Sequence, residues 1–189
     1  MKPINDFIVR IPKKFKDEVS FNGTTLKLVS KFNEFEHRHN YAEIIGCPKQ
    51  FDSVGKTLYF HHHVVMEQRY DIGEDLYMVT YDPDGGYGNH AIAIEDEAGD
   101  ITMLGDWCFV APPPPAKEET TDSGIVLSIE EKPELEGELL HMPEGSEWIG
   151  AESGDMVGYR KNSEYEMELK DGSKVYRMRL SEIVYAKEA

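Results

Sequence analysis

The sequence predicts an all-β protein built as two tandem small β-domains, and three observations predict it. The chain repeats itself: Gly55-Lys56-Thr57-Leu58-Tyr59-Phe60 recurs as Gly154-Asp155-Met156-Val157-Gly158-Tyr159, and Leu76-Tyr77-Met78-Val79 recurs as Val175-Tyr176-Arg177-Met178, both 99 residues on. Two landmarks at one spacing in both copies mark a duplication, and a period that long belongs to tandem domains rather than to a solenoid. Helical periodicity is nearly absent. Short β-branched and aromatic runs alternate with Gly, Pro and Asp clusters, the punctuation of small sandwiches and barrels. A chain of 189 residues gives each domain about 90 to 100, enough for its own core.

Taken in order, Phe7-Ile8-Val9-Arg10-Ile11 is a β-branched run stopped by Pro12, and the lysine-rich stretch from Lys13 to Glu18 reads as an exposed loop. Ala42 to Gly46 is the next strand, followed by Thr57-Leu58-Tyr59-Phe60 and by Leu76 to Tyr81. Asp82-Pro83-Asp84-Gly85-Gly86 supplies the backbone angles of a turn. His90 to Ile94 and Asp100 to Leu104 read as an extra hairpin, at about 84–104, present only in the first half. Trp107-Cys108-Phe109-Val110 answers the opening strand, with Asp106 lying 100 residues after Asp6, and Gly137-Glu138-Leu139-Leu140 answers Ala42-Glu43-Ile44-Ile45 at 95. The expected division is 1–105 and 106–189, with the strand at 106–111 shared between the domains. Pro112-Pro113-Pro114-Pro115 stiffens the exit from that strand. Lys117 to Gly124 has a composition that cannot pack a core.

The charge narrows the partners. With 36 acidic against 20 basic residues the formal charge is −16, which repels a phosphate backbone and offers no counterion release, so nucleic acid and anionic membrane are not expected partners. Cys47 and Cys108 fall one in each half, and no apolar stretch approaches signal-peptide or transmembrane length; a reducing cytoplasm is the expected compartment. There is no Gly-x-Ser-x-Gly, no phosphate loop and no Cys locally paired with His. Clusters such as Glu95-Asp96-Glu97 and Glu130-Glu131 read as solvated loop charge. Neither an enzyme nor a cofactor is expected.

Ile125-Val126-Leu127 is an apolar triplet inside a polar, acidic loop. Such a triplet is either a buried strand or an exposed docking segment, and the flanking acidity favours docking. Here the chain resembles a known family. Ser123-Gly124-Ile125-Val126-Leu127 is similar to the mobile loop of GroES-type co-chaperonins, whose Gly-Ile-Val-Leu segment docks on the chaperonin. Pro3-Ile4-Asn5-Asp6-Phe7-Ile8-Val9 resembles the family's opening strand, and Leu104-Gly105-Asp106-Trp107-Cys108-Phe109-Val110 resembles it again. Gly137-Glu138-Leu139-Leu140, Ser153-Gly154-Asp155-Met156-Val157 and the segment from Val175 to Ala186 are similar to its later strands, and Val54-Gly55-Lys56-Thr57-Leu58 is a weaker copy.

The resemblance implies two GroES-like β-barrels with mobile loops, a GroEL-type chaperonin as partner, and self-association into a ring that lids the folding chamber. The layout is similar to that of two-domain chloroplast co-chaperonins and suits a phage-encoded relative. The resemblance assigns docking to Gly124, Ile125, Val126 and Leu127. In the first copy Gly23-Thr24-Thr25-Leu26-Lys27-Leu28-Val29 stands in its place, so Leu26, Leu28 and Val29 form a second set interrupted by Lys27. Burying three aliphatic side chains gives about 1.5 to 3 kcal/mol each, while ordering a loop residue costs about 1 to 2 kcal/mol, so one loop binds weakly and several on one ring bind through effective concentration.

Two other readings compete. Gly55, His61, His63, Glu67 and His90 resemble part of a cupin, a metal-binding β-barrel enzyme, because His61 and His63 would share one face of a strand and imidazole with carboxylate suits a transition metal. That pattern leaves the repeat at Gly154 unexplained, and the second copy carries Arg160-Lys161-Asn162 where the histidines stand. A structural scaffold reusing the GroES-like fold is the third reading.

Overall fold

A computed structural model describes residues 3–12, 18–21, 24–27, 39–83, 88–113, 118–120, 126–128 and 135–187. The chain divides into two units, Met1–Asp106 and Trp107–Ala189. The first holds β1 (Phe7–Arg10), β2 (Glu18–Phe21), β3 (Thr24–Lys27), β4 (Tyr41–Gly46), β5 (Thr57–Phe60), a short helix α1 (His63–Met66), β6 (Asp71–Gly73), β7 (Leu76–Val79), β8 (Ala91–Glu95) and β9 (Ile101–Met103). The second holds β10 (Trp107–Val110), β11 (Glu118–Thr120), β12 (Val126–Ser128), β13 (Glu136–His141), β14 (Met156–Tyr159), β15 (Tyr165–Glu168), β16 (Lys174–Arg179) and β17 (Ile183–Lys187). Among the described residues no helix is long and apolar enough to cross a membrane.

Each unit is one antiparallel sheet plus one separate hairpin. The seven-stranded sheet runs β6-β7-β1-β4-β5-β8-β9 and the six-stranded sheet runs β15-β16-β10-β13-β14-β17. The ladders do not close either sheet, and the first core gathers Phe7, Val9, Ile44, Leu58, Tyr77, Val79, Ala91 and Ile94 from the five inner strands β7-β1-β4-β5-β8. Val64 and Val65 of α1 and Tyr70 after it pack into the same core, beside the strand residues. The second core, with Cys108, Val110, Leu139, Val157, Tyr159 and Met178, is likewise drawn from the inner strands of its sheet.

The registers of the two sheets coincide. Val9 pairs with Ile44 on β4 and with Tyr77 on β7, as Val110 pairs with Leu139 on β13 and with Tyr176 on β16. The β1·β4 ladder shifts between Ile8 and Val9, and the β10·β13 ladder between Phe109 and Val110. The β5·β8 ladder shifts between Tyr59 and Phe60, and β14·β17 between Gly158 and Tyr159. A bulge bends its strand and re-aims the side chains beyond it, so matching irregularities at matching places mean that both units follow one path.

These registers refine the repeat read from the sequence. Val9 corresponds to Val110, one residue beyond the offset of 100, and a slip of one turns a strand over. Thus Phe7 and Val9 enter the first core whereas Cys108 and Val110 enter the second. Trp107 lies instead against the Arg177 and Arg179 guanidinium groups, at 5.2 and 3.7 Å from its ring. Arg177 also lies 4.0 Å over Tyr165, and burial pulls its pKa down to about 10, which leaves it charged at neutral pH and held by two π faces. The expected extra hairpin forms as β8·β9, but β8 takes in the first sheet the place of β17 in the second. Among the described sheet strands only β9 lacks a counterpart. At the boundary, β10 pairs on one edge with β13 and on the other with β16.

Glycine permits one close arrangement in the second sheet. Glu136, Gly158 and Tyr185 stand side by side on β13, β14 and β17. The Tyr185 ring occupies the space where a Cβ on Gly158 would be, and its hydroxyl donates to Glu136. Lys187 donates to the same carboxylate at 2.7 Å, and these bonds hold Glu136 below the usual carboxylate range.

His141, at the end of β13, is half-buried with its ring 6.3 Å from Phe109, and burial holds its pKa below the ordinary 6.5. The unfolded chain therefore takes up this proton first as pH falls, and the second unit loses stability from about pH 6.5 down to the folded pKa. Denaturant unfolding at pH 7.5 and 5.5 is expected to show a loss that His141→Gln reduces. An equal loss in both proteins would clear His141 of it.

Candidate docking hairpins and a histidine cluster

Two structural features meet the residues singled out in the sequence. The first is a pair of hairpins. β2·β3 lies between β1 and β4 in sequence, and β11·β12 lies between β10 and β13; each is a two-stranded sheet of its own. The main sheets give β1·β4 and β10·β13 as direct neighbours, so each hairpin is an excursion from the same place in the duplicated path.

The sequence-derived docking residues fall on these hairpins in part. Val126 pairs with Thr120 and Leu127 with Glu119 across β11·β12, and Leu26 pairs with Val19 across β2·β3. Gly124 and Ile125, and Leu28 and Val29 in the first copy, lie outside the described residues. The backbone thus carries part of each apolar segment as one arm of a hairpin.

The second feature is the turn after β5. Strand alternation would set His61 and His63 on one face with His62 on the other, but β5 ends at Phe60. His62 occupies the N-cap position of α1 and His63 begins the helix, so strand alternation does not govern the three rings. They converge instead: centroids are 4.5 Å apart for His61 and His62, 4.2 Å for His61 and His63, and 4.6 Å for His62 and His63. Sequence reasoning missed His62 as a member because nothing in a run of three histidines announces where a strand gives way to a helix.

The other two cupin-like positions behave differently. Glu67 ends α1 and pairs with Arg69, Oε2 to Nε 2.6 Å. The His90 ring stands 5.9 Å from that of His61, and its Nδ1 is 2.7 Å from Thr80 Oγ1. His61 Nδ1 accepts a long bond, 3.3 Å, from the His63 backbone N–H. One ligand nitrogen from each of His61, His62 and His63 lies within 4.8 Å of the other two, a set that omits Glu67 and His90.

No family model matches the chain, and no curated protein matches it.

Proposed function

We propose that the protein is a co-chaperonin of the GroES type, which caps a GroEL-type chaperonin by docking apolar hairpin segments and assists ATP-dependent folding. One observation supports this reading above the others: a duplicated β-unit sends out a separate hairpin at the same point of both copies, and the second hairpin carries Val126 and Leu127. A hairpin outside the main ladder adds nothing to the core sheet, so its apolar residues are best explained by a partner. The chain self-associates into a ring, the partner hydrolyses the nucleotide, and this protein supplies no catalytic residue and no cofactor. The charge of −16 suits a protein partner rather than nucleic acid.

The test is co-sedimentation of the purified full chain with a bacterial-type chaperonin, with and without ATP. Association that requires ATP is the expected result. Absence of association in both conditions overturns the proposal. Leu26→Asp, in the hairpin where Lys27 interrupts the apolar run, is expected to weaken association less than Leu127→Asp does.

A further inference from the structure

The two units differ where the chain crosses from β5, or its counterpart β14, to the next hairpin. Residues 61–70 make that crossing in the first unit and residues 160–164 in the second. The longer crossing contains α1 and all three histidines of the cluster, and it is firmly built. Val64, Val65 and Tyr70 enter the first core. The His61 backbone N–H donates to the His90 carbonyl at 2.9 Å, and the Val64 and Val65 N–H groups donate to the His61 and His62 carbonyls at 3.0 and 3.2 Å. The backbone that carries the rings is therefore pinned from both sides, with His62 buried, His61 half-buried and His63 exposed.

We infer that His61, His62 and His63 form a binding site for a divalent late transition metal, Zn²⁺ or its neighbours Ni²⁺ and Cu²⁺. Imidazole suits these ions, whereas Mg²⁺ and Ca²⁺ demand oxygen donors that this set does not provide. The spacing is near what coordination needs. Zinc–nitrogen bonds of about 2.0 to 2.1 Å put two imidazole nitrogens roughly 3.4 Å apart on a tetrahedral ion. The nitrogens now lie within 4.8 Å of one another, so binding needs ring rotations of His63 and His61 on a fixed backbone to draw them together by about 1.4 Å. The contact from the His63 N–H to His61 Nδ1, at 3.3 Å, is long for a hydrogen bond. Three adjacent residues supplying all three ligands make the ion a clasp on the turn that joins β5 to α1. This is not the two-histidine and carboxylate set of a cupin, because the group of mutually close ligand atoms includes His62 and leaves out Glu67. It is also independent of the co-chaperonin reading, since the second unit, which carries the stronger docking hairpin, has no such crossing.

The test uses the full chain without an affinity tag, titrated with Zn²⁺ against a chromophoric chelator, with Mg²⁺ as control. The expected result is about one Zn²⁺ per chain with no response to Mg²⁺, and His61→Gln/His63→Gln lowering the affinity about tenfold or more. Both altered residues lie outside the core, and an unchanged far-ultraviolet circular dichroism spectrum will show that the fold survives. Glu67→Gln is expected to bind as the parent does. Zinc affinity no higher in the parent than in the double variant overturns the inference, and so does a loss in Glu67→Gln as large as that in the double variant.

Discussion

Leu127→Asp is expected to abolish ATP-dependent association with a GroEL-type chaperonin while leaving the circular dichroism spectrum and the unfolding midpoint of the chain unchanged. Leu127 stands opposite Glu119 on a hairpin that belongs to neither main sheet, so the substitution touches neither of the two main ladders. Under the proposed docking, loss of one leucine from the contact removes about 1.5 to 3 kcal/mol of apolar transfer per docked loop, and the aspartate adds the cost of taking a charge out of water. In the proposed ring that loss is multiplied over every loop engaged, because several weak contacts would act together at high effective concentration. Ile125→Asp is expected to act in the same way. Co-sedimentation checks both, and association retained by both variants would remove the second hairpin from the mechanism.

The legibility of the fold in the sequence varied with the physical constraint behind each signal. Strands recurring at 99 and 95 residues are readable because Leu58 and Ile44 and their counterparts Val157 and Leu139 fill the same core positions, with Tyr176 packed against the second core where Tyr77 lies in the first, and core positions constrain residue type. The equivalence of β8 and β17 was hidden for the opposite reason. Ala91 to Ile94 are buried, whereas Val184 to Lys187 lie exposed along the edge of their sheet, so equal places carry unlike residues. β9 pairs along β8 in the first sheet, and β17 ends the second.

The β6·β7 hairpin was equally invisible. Its turn passes through Glu74 and Asp75 at φ of 55° and 61°, a left-handed pair for which a sequence usually signals Asn-Gly or Asp-Gly. At the histidines the neighbourhood was readable and the geometry was not. Strand periodicity applies only while the strand lasts, and β5 ends one residue before His61.

Phe7→Ala is expected to unfold the first unit selectively. Phe7 is completely buried in β1 between β4 and β7, with its ring 5.1 Å from Phe51 and 5.8 Å from Tyr81, while Phe51 and Tyr81 lie 5.2 Å apart. Removing one ring from this group of three leaves a cavity that rigid strands on both sides cannot fill, at a cost of about 3 to 5 kcal/mol. Against a total stability of about 5 to 15 kcal/mol, that is enough to move the first unit's transition well below its normal midpoint. The chain supplies a convenient reporter, since both tryptophans, Trp107 and Trp148, belong to the second unit. Circular dichroism, which sees both sheets, is therefore expected to gain an early denaturant transition in Phe7→Ala, while tryptophan fluorescence keeps the parent midpoint. If the fluorescence midpoint shifts by the same amount, the two cores melt as one cooperative body. Two separate cores, each drawing on the strands of its own sheet, are the physical reason to expect the transitions to part.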